Sequence, residues 1–224
     1  MIDATITGTG RVSLAFVRWA VERGIHVKTV SHDYCVVEKI PACKVLIHAG
    51  ARVFAHKSFL EPEPYIGDNI VGTFDMLEYA RKFSLKLFVY ISTHEAIDPR
   101  SPYAATKRCG EILTEAWHQS YHLPYLIVRL PNVFIVDPTD QGYIGGILRG
   151  EIKEPRDGNR IRQWMTSEQF SEMLWNLIMS GEYNRTVTLK GIEKSDQEIM
   201  WIVKNREPLY ERSDSCAVAL PRLV

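Results

Sequence analysis

Short apolar runs alternate with amphipathic segments along the first 134 residues of the chain. The apolar runs have the length of buried strands, and they read IDATIT, HVKTV, KVLIHAG, KLFVYIS and LPYLIVRL. Segments with the period of a helix follow the first, third and fourth runs. Because parallel strands need crossover connections, this order predicts an α/β fold with a doubly wound parallel sheet.

The remainder of the chain, residues 135–224, has a different pattern. Its first part, IVDPTDQGYIGGILRGEIKEPRDGNRIRQW, is rich in loop residues and indicates a small cap over the strand ends. An amphipathic helix, a short strand and a final helix follow, and they read SEQFSEMLWNLIMSGEY, VTLK and SDQEIMWIVK. We therefore divide the chain after residue 134 into a sheet domain and a C-terminal cap that pack as one compact unit.

Composition narrows the possible functions. The chain has a formal net charge of zero and its basic residues are dispersed, which argues against a nucleic-acid ligand or a membrane surface. No apolar run approaches the length of a membrane span and the N-terminus lacks the features of a signal peptide, so we expect a cytoplasmic protein. The four cysteines lack the spacing of a disulfide framework or a zinc site, and we expect no metal.

Three polar side chains between Ser92 and Lys107 have a spacing that suits catalysis. A hydroxyl, on Ser92 or Thr93, ends the fourth strand, and Tyr103 and Lys107 follow four residues apart. Pro102 marks the start of a helix, on which residues i and i+4 share a face. A nearby ammonium lowers the pKa of a phenol, and a hydroxyl can hydrogen-bond to a substrate oxygen. The trio fits hydride transfer at a carbinol, although tyrosine and lysine at this spacing also occur on solvent-exposed helices.

A glycine-containing turn joins the first strand to the first helix. Gly8 and Gly10 would let the backbone approach a pyrophosphate. Ser13, in the place of a third glycine, is small enough to keep helix and strand close, and Arg11 lies beside it. Because helix N-termini bind phosphate, we predict that residues 1–134 are a Rossmann-like domain that binds a dinucleotide. The alternative is a plain tight turn.

Two further segments belong to the same predicted cofactor site. Asp33 follows the second strand, near the usual position of an acid that binds the adenosine ribose, and it favours NAD over NADP because it would repel a 2′-phosphate. Asp33 could equally be a solvated turn residue. Ala49 and Gly50 follow the third strand, and small residues there let a flat cofactor lie against the backbone. We interpret His48 as a core histidine rather than a ligand.

Four motifs resemble those of the extended short-chain dehydrogenase/reductase superfamily, the NAD-dependent nucleotide-sugar epimerases, dehydratases and 4-keto reductases. In chain order they read DNIVGTFDMLEYAR, SPYAATK, RLPNVF and GNRIRQWMTSEQFSEML. The resemblance covers most of the chain. It implies that Asn132 contacts the substrate, that Arg162 binds the nucleotide diphosphate, and that Ser92 and Lys107 contact the cofactor. Arg160, beside Arg162, is a second candidate for phosphate binding.

The chain departs from this family after the second strand. Only about ten residues separate HVKTV from KVLIHAG, which is too few for the helix and strand that usually follow in the family. The resemblance therefore implies that the usual adenine contacts are missing. The substrate-binding region, residues 135–224, is also shorter than usual.

The segment ISTHEAIDP, followed by ATKR, resembles the sugar-nucleotide 4,6-dehydratases, in which Tyr lies ten residues after Thr, as Tyr103 lies after Thr93. His94 stands where these enzymes have Asp, and Glu95 keeps the Glu of one branch and replaces the Lys of another. Dehydration needs a base for the C5 proton and an acid for the C6 hydroxyl, and Glu95 and His94 could fill these roles. Without them, Thr93, Tyr103 and Lys107 still suffice for 4-epimerisation or ketone reduction.

We therefore expect an NAD(P)-dependent enzyme that acts at C4 of a nucleotide-activated sugar, as an epimerase, a 4,6-dehydratase or a 4-keto reductase. The alternative is a catalytically lapsed sensor of a nucleotide or dinucleotide, which the shortened adenine side and the irregular glycine motif favour. Relatives often pair two helices, here those containing Met76 and Cys109, and we therefore also expect a homodimer.

Overall fold

A computed structural model of the chain describes residues 4–31, 40–139, 142–155 and 160–209. Asp33, which we predicted to bind the cofactor ribose, lies outside these residues.

The regular elements alternate in the first part of the chain as the sequence pattern predicted. The strands are β1 (Ala4–Thr7), β2 (Val27–Val30), β3 (Val45–His48), β4 (Leu87–Thr93), β5 (Tyr125–Leu130), β6 (Asn132–Phe134), β7 (Ile161–Thr166), β8 (Arg185–Thr188) and β9 (Ile192–Ser195). The helices are α1 (Arg11–Glu22), α2 (Ala55–Ser58), α3 (Glu63–Ile66), α4 (Gly72–Lys82), α5 (Pro102–Tyr121), α6 (Tyr143–Leu148), α7 (Ser167–Met179) and α8 (Asp196–Asn205). A π-helical turn, Gly67–Val71, joins α3 to α4, and a 3₁₀ turn, His94–Ala96, follows β4.

The described residues group into two compact units. The first contains the described residues up to Leu130 together with Leu174–Leu189, and the second contains Pro131–Met173 and the described residues from Lys190 onward. Residues 174–189 return to the first unit because β8 pairs with β5. The division therefore differs from a single boundary after residue 134.

The first unit is built on a six-stranded sheet in the order β2-β1-β3-β4-β5-β8, and all neighbouring strands are parallel. Strands β1 and β3 are buried at every residue, as expected where helices cover both faces of a parallel sheet. This arrangement confirms the predicted α/β fold with a doubly wound, Rossmann-like sheet. Strand β2 lies at the edge of the described sheet, in agreement with the short connection from β2 to β3.

Helices α4 and α5 contact each other and both pack on β4. Large apolar side chains from the sheet and these helices form the main core, including Leu46, Leu77, Phe88, Tyr90 and Ile127. Because the core holds β4 and α5 against each other, it fixes the place where the end of β4 meets the start of α5.

The second unit has a three-stranded sheet in the order β6-β7-β9, in which β6 and β7 are parallel and β7 and β9 are antiparallel. Its core lies between this sheet and helices α6 and α8, and it includes Phe134, Ile144, Trp164 and Ile199. A capping box, in which Ser195 and Glu198 bond to each other's backbone N–H groups, starts α8.

The prediction that residues 135–164 are mainly loop was wrong in two places. Helix α6 and strand β7 lie in this segment, and β9 was not predicted either. Glycine is a poor helix former, and the two glycines of YIGGIL concealed α6. One of them, Gly146, is needed for packing, because a Cβ there would lie 2.7 Å from Cδ1 of Ile152.

Candidate active site

The candidate active site of the first unit lies where β4 ends and α5 begins. Thr93 is the last residue of β4, and Tyr103 is the second residue of α5. The Ser101 hydroxyl caps α5 by accepting a hydrogen bond from the Ala104 N–H at 3.1 Å. Pro102 occupies the first helical position, where no N–H is needed. The start of the helix, and with it the place of Tyr103, is therefore set locally by the sequence.

Tyr103 is held by contacts from neighbouring helices. Its backbone N–H donates to the buried Ser58 Oγ at 3.1 Å, and the Ser58 hydroxyl donates to the Ala55 carbonyl at 2.6 Å. Its ring meets that of Tyr65 edge-on, with 6.4 Å between the ring centroids. The Thr93 hydroxyl lies near the Tyr103 phenol and lowers its pKa. The structure thus brings Thr93 and Tyr103 together.

Burial raises the pKa of the Tyr103 phenol, and the nearby Glu95 carboxylate raises it further. The Thr93 hydroxyl and the positive charge of Arg11 act in the opposite direction. Among the described residues, Arg11 is thus the positive charge with the larger effect on the phenol, although we expected Lys107 to have that role. In this arrangement the phenol is protonated at neutral pH.

The Lys107 side chain is buried, with 3% of the residue exposed. Its Nζ atom lies 4.1 Å from the centroid of the Tyr90 ring, and no described residue accepts a hydrogen bond from it. Burial lowers the pKa of Lys107 to about 7, and the Glu111 carboxylate acts in the opposite direction. The amine is therefore close to half protonated at neutral pH, which explains why it is a weak source of positive charge.

Ser92 and Thr93 have different roles because successive strand residues point to opposite faces. The buried Ser92 hydroxyl donates to Glu111 Oε1 at 2.6 Å. Of the two hydroxyls that the sequence left open, Thr93 is the one that lies near the Tyr103 phenol and lowers its pKa. While it donates to Glu111, the Ser92 hydroxyl can contact a cofactor only as an acceptor.

The turn between β1 and α1 is shaped for a close backbone approach. Gly8 has a positive φ of 89°, and a Cβ at this position would lie 2.8 Å from the Gly50 Cα. Only glycine fits there without strain. The Gly50 N–H donates to the Thr7 hydroxyl at 3.3 Å, so the glycine turn and the end of β3 are tied together. Ala49 lies in the same close approach.

The first turn of α1 is open above Gly10, since a Cβ there would meet nothing within 4 Å. Ser13 is buried and its hydroxyl donates to the Thr7 carbonyl at 3.3 Å, which closes the helix against β1. Arg11 is the first residue of α1 and is half-buried. A helix N-terminus with room above a glycine fits the pyrophosphate of a dinucleotide.

His48 is a core histidine, as interpreted from the sequence. Its Nδ1 lies 2.8 Å from Thr7 Oγ1 and its Nε2 lies 3.1 Å from Thr73 Oγ1, and all three side chains are buried. The Thr73 hydroxyl donates onward to the Asn69 carbonyl at 2.6 Å. These bonds link β1, β3, the first turn of α4 and the π-helical turn before it.

The two residues after Thr93 lie in the 3₁₀ turn. His94 Nε2 is 2.6 Å from the Leu189 carbonyl oxygen, so this nitrogen carries the proton and Nδ1 is the nitrogen left for exchange. Glu95 is exposed, and its backbone N–H donates to Thr93 Oγ1 at 3.3 Å. The effect of Glu95 on the pKa of Tyr103 shows that its carboxylate lies near the phenol.

The two predicted substrate residues belong to the second unit. Arg162 lies on strand β7 and its Nη1 bonds to both carboxylate oxygens of the buried Asp196 at 2.5 Å. The exposed Asn132 donates through Nδ2 to the Gln163 carbonyl at 3.1 Å. Arg160 is also exposed, and its carbonyl accepts from the Asp196 N–H at 3.3 Å. Arg162 is therefore held on a strand, rather than on the loop that the sequence indicated.

Three residues around the site were missed by the sequence analysis. Ser58 and Tyr65, which hold Tyr103, come from short helices without a strong pattern, and no local signal marks them. Glu111, which accepts from Ser92, is four residues after Lys107 and so faces the same side of α5. That spacing was the available signal.

Within the ranges that the structure describes, no group of three or more His, Cys, Asp or Glu side chains could hold a metal ion. None of the described helices is long and apolar enough to cross a membrane.

A parallel sheet with a glycine turn at its first strand and a Tyr–Lys helix at its centre defines a Rossmann-type nucleotide-binding class of protein. The chain belongs to the NAD dependent epimerase/dehydratase family, whose family model matches residues 20–188. This confirms the family that the sequence motifs resemble.

Several known proteins are similar to the chain. It is 25% identical to the dTDP-glucose 4,6-dehydratase of Mycolicibacterium smegmatis over 165 residues, which cover 63% of the chain and 49% of that protein. The UDP-glucose 4-epimerase of Thermotoga maritima, solved with UDP-glucose, superposes with a TM-score of 0.77 at 20% identity, covering 93% of the chain and 85% of that structure. The dTDP-glucose 4,6-dehydratase of Streptomyces venezuelae, solved with NAD, gives a TM-score of 0.79 at 17% identity, covering 90% and 80%.

The chain spans about half the length of the curated relatives that it matches, 49% to 54% in three dTDP-glucose 4,6-dehydratases. The solved structures, at or below 20% identity, establish the fold.

Proposed function

We propose that the chain is an NAD(P)-dependent enzyme that acts at C4 of a nucleotide-activated sugar, as an epimerase, a 4,6-dehydratase or a 4-keto reductase. The observation that carries the proposal is that the Thr93 hydroxyl and the Tyr103 phenol lie near each other at the carboxyl edge of the sheet. Open α/β sheets bind their ligands at this edge. A nicotinamide cofactor, when bound, would accept or return the hydride.

Tyr103 moves the proton of the C4 hydroxyl, and Thr93 orients the sugar oxygen. In the arrangement described here the phenol is protonated, which suits it to donate a proton to a 4-keto group. Oxidation of a C4 hydroxyl requires the opposite transfer, and the charge of Arg11 and the nearby Thr93 hydroxyl both lower the pKa of the phenol and so favour the phenolate.

The cofactor site consists of the glycine turn and the end of β3. Gly10 leaves open space for a pyrophosphate at the start of α1, and Arg11 places a positive charge there. Gly8 and Gly50 let the turn lie close to the end of β3. Lys107 would bind the ribose hydroxyls, because its buried Nζ has no hydrogen-bond acceptor among the described residues. The preference for NAD over NADP rests on the prediction for Asp33.

For a dehydratase, Glu95 would take the C5 proton and His94 would protonate the leaving C6 hydroxyl through Nδ1, since its Nε2 is bonded to Leu189. Arg162 would bind the nucleotide diphosphate, with its Nη1 held by Asp196. Asn132 would contact the sugar. The similar proteins that act on dTDP-glucose and UDP-glucose support a nucleotide-linked sugar as the substrate class.

The experiment incubates the purified protein with UDP-, GDP- and dTDP-sugars and NAD or NADP, and identifies the products by mass spectrometry and NMR. With a 4-keto sugar, stoichiometric loss of NAD(P)H absorbance would single out the reductase. Tyr103→Phe should reduce turnover about 100-fold or more while dinucleotide binding persists. Tyr121→Phe, at the exposed end of the same helix, is the matched control. Unchanged turnover in Tyr103→Phe would contradict the mechanism.

The second candidate function is a sensor of a nucleotide or dinucleotide that has lost catalysis. The edge position of β2 favours it, because the described sheet lacks the further strand that usually supports the adenine side. A sensor would bind a dinucleotide without turning over any sugar in the panel. Its binding would also be indifferent to Thr93→Val, whereas an enzyme should lose about tenfold or more in kcat.

We also propose a homodimer formed through α4 and α5. Large apolar side chains on these helices are exposed, and they include Val71 before α4, Phe74, Ile112 and Tyr121. An exposed apolar surface of this kind often marks an interface. Sedimentation equilibrium would test it, and Ile112→Glu should shift a dimer to monomers while leaving the fold intact.

A further inference from the structure

A buried carboxylate joins three elements of the candidate active site. Glu111 on α5 is fully buried, with 0% of the residue exposed. Its Oε1 accepts from the Ser92 hydroxyl at 2.6 Å and from Arg129 Nε at 2.8 Å. Its Oε2 accepts from Arg129 Nη2 at 2.7 Å and from Arg108 Nη1 at 2.6 Å. We call these four side chains the Glu111 cluster.

The Glu111 cluster crosses the sheet at the residues next to the site. Ser92 immediately precedes Thr93 on β4, and Arg129 is its direct partner on β5. A buried charge is costly unless it is paired and hydrogen-bonded, and a bidentate arginine also fixes its direction. The carboxylate therefore holds α5 at one position along β4.

That position determines how the proposed catalytic residues face each other. Lys107 lies one helical turn before Glu111 and shares its face of α5. Thr93 lies one residue beyond Ser92. A shift of α5 along β4 would alter the distance between the Thr93 hydroxyl and the Tyr103 phenol, on which the proposed reaction depends.

Several charged and titratable groups surround Lys107. Glu111 and Arg108 lie on its own helix, and Arg129 on β5 is bonded to Glu111. The Tyr90 ring on β4 lies under Nζ, and the His48 ring on β3 lies behind it, 5.8 Å from the Tyr90 ring. Glu111 is the negative charge in this group, so it favours the protonated lysine. Arg108 and Arg129 pair with the same carboxylate, and as like charges they would disfavour the protonated lysine if Glu111 were neutral.

We propose that Glu111 is a positioning residue of this site, which fixes α5 on β4 through Ser92 and places its negative charge one helical turn from Lys107. The proposal rests on the proposed function, which gives Thr93, Tyr103 and Lys107 their roles. The effect of the Glu111 charge on Lys107 involves only side chains of this protein, so it can be measured without any substrate.

The test follows the protonation of Lys107 by NMR of ¹³C-labelled lysine side chains across pH, with Lys107→Met identifying the signal. In Glu111→Gln the pH midpoint of the Lys107 titration should fall by about one unit or more, because the carboxylate no longer balances the positive charges of Arg108 and Arg129. Arg108→Gln, at the half-exposed edge of the cluster, should move it up. An unmoved midpoint in Glu111→Gln would overturn the proposal.

Glu78→Gln is the matched control. Glu78 also accepts from both arms of an arginine, Arg81, at 2.8 Å, and from the Trp117 indole on α5 at 3.0 Å. Its loss should weaken the packing of α4 on α5 without moving the Lys107 midpoint. If Glu111→Gln does not fold, Arg108→Gln serves as the test in its place. A Lys107 midpoint that is the same in Arg108→Gln and the wild type would also overturn the proposal.

Ser92→Ala tests the geometric part. It keeps the carboxylate and its charge but removes the bond to β4, so the Lys107 midpoint should stay while kcat falls about tenfold with little change in KM. An unchanged kcat would overturn this part. A wild-type protein without any turnover would reject the proposed function instead, and the lysine titration would still report on Glu111.

Discussion

At the scale of single residues, burial decides the ionisation of the side chains at the centre of the candidate site. The same loss of solvation raises the pKa of Tyr103 and lowers that of Lys107, because in each case it disfavours the charged form. The structure described here therefore holds a neutral phenol and a partly neutral amine. Both groups are in the form that can exchange a proton with a ligand at neutral pH.

Lys107→Met should stabilise the fold, and the gain should depend on pH. The pKa of Lys107 is about 7 in the fold and 10.5 in the unfolded chain, so the unfolded chain binds more protons between these values. The stability of the wild type therefore rises with pH across this window. The advantage of the variant should be on the order of 5 kcal/mol below pH 7, because each pKa unit corresponds to about 1.4 kcal/mol, and it should vanish above pH 10.5.

Urea denaturation between pH 6 and 10 would measure this difference. Lys86→Met, at an exposed lysine, is the control and should show no such trend. If Lys107→Met raised the free energy of unfolding by the same amount at every pH, burial of the charged lysine would not destabilise the folded protein.

The two glycines of the β1–α1 turn should respond differently to alanine. Gly8→Ala should destabilise the fold by about 1–3 kcal/mol, since its positive φ and its close approach to Gly50 exclude a Cβ. Gly10→Ala meets no atom and has an ordinary φ of −71°, so it should fold normally. It should nonetheless weaken dinucleotide binding about tenfold, because its methyl group would occupy the space over the helix N-terminus.

Thermal unfolding and isothermal titration with NAD would separate the two effects. Equal dinucleotide affinity in Gly10→Ala and the wild type would place the cofactor elsewhere.

Among these residues, sequence reasoning predicted those whose role follows from local spacing. Tyr103 and Lys107 share a helix face because of their separation, and Gly8 is required by a turn. It could not choose between Ser92 and Thr93, since the choice depends on which face of β4 meets α5. Nor could it foresee that Lys107 is too deeply buried to be the main charge near the phenol.

At the scale of elements, the contact between α5 and β4 is the tightest feature around the site. A Cβ on Gly110 would collide with the Tyr90 phenol. The same ring supports the Lys107 amine, and its hydroxyl donates to the Lys107 carbonyl at 3.4 Å. Glycine at position 110 therefore allows α5 to pack closely on β4, although glycine is a poor helix former.

Gly110→Ala should lower the free energy of unfolding by about 1–3 kcal/mol through this overpacking. Gly67→Ala is the matched change, because Gly67 is also helical but its Cβ would meet nothing within 4 Å. It should be neutral or stabilise the protein by up to about 1 kcal/mol. Chemical denaturation would measure both, and a neutral Gly110→Ala would show that α5 can move away from β4.

The elements that sequence patterns predicted well are the strands and helices of the first unit, where strong periodicity and deep burial coincide. Strand β4 and helix α5 are examples, since each has an apolar pattern of its own. Helix α6 and strand β9 are short and depend on tertiary contacts, such as that of Gly146 with Ile152. Their formation is decided by packing that no local pattern encodes.

At the scale of the whole molecule, the chain keeps the sheet of its family in the first unit and a small second unit. Strand β2 ends the described sheet on the side where a dinucleotide places its adenosine. The prediction from the sequence stays that Asp33 favours NAD over NADP.

NAD should therefore stabilise the protein more than NADP. A ligand at a hundredfold excess over its Kd adds about 2.7 kcal/mol, which corresponds to roughly 5–10 °C in Tm for a chain of this size. Differential scanning fluorimetry with each cofactor would measure the rise. In Asp33→Ser the two rises should become similar, and a larger rise with NADP in the wild type would reverse the assignment.

The hydrogen bonds through His48 have a direction. The Gly50 N–H donates to Thr7, Thr7 to His48, His48 to Thr73, and Thr73 to the Asn69 carbonyl. The side chains of Thr7, His48 and Thr73 each accept from one neighbour and donate to the next. Replacing one of them alone would therefore leave a buried polar group without a hydrogen-bond partner. We therefore expect Thr7, His48 and Thr73 to co-vary, so that homologous proteins either keep all three residues or replace them together.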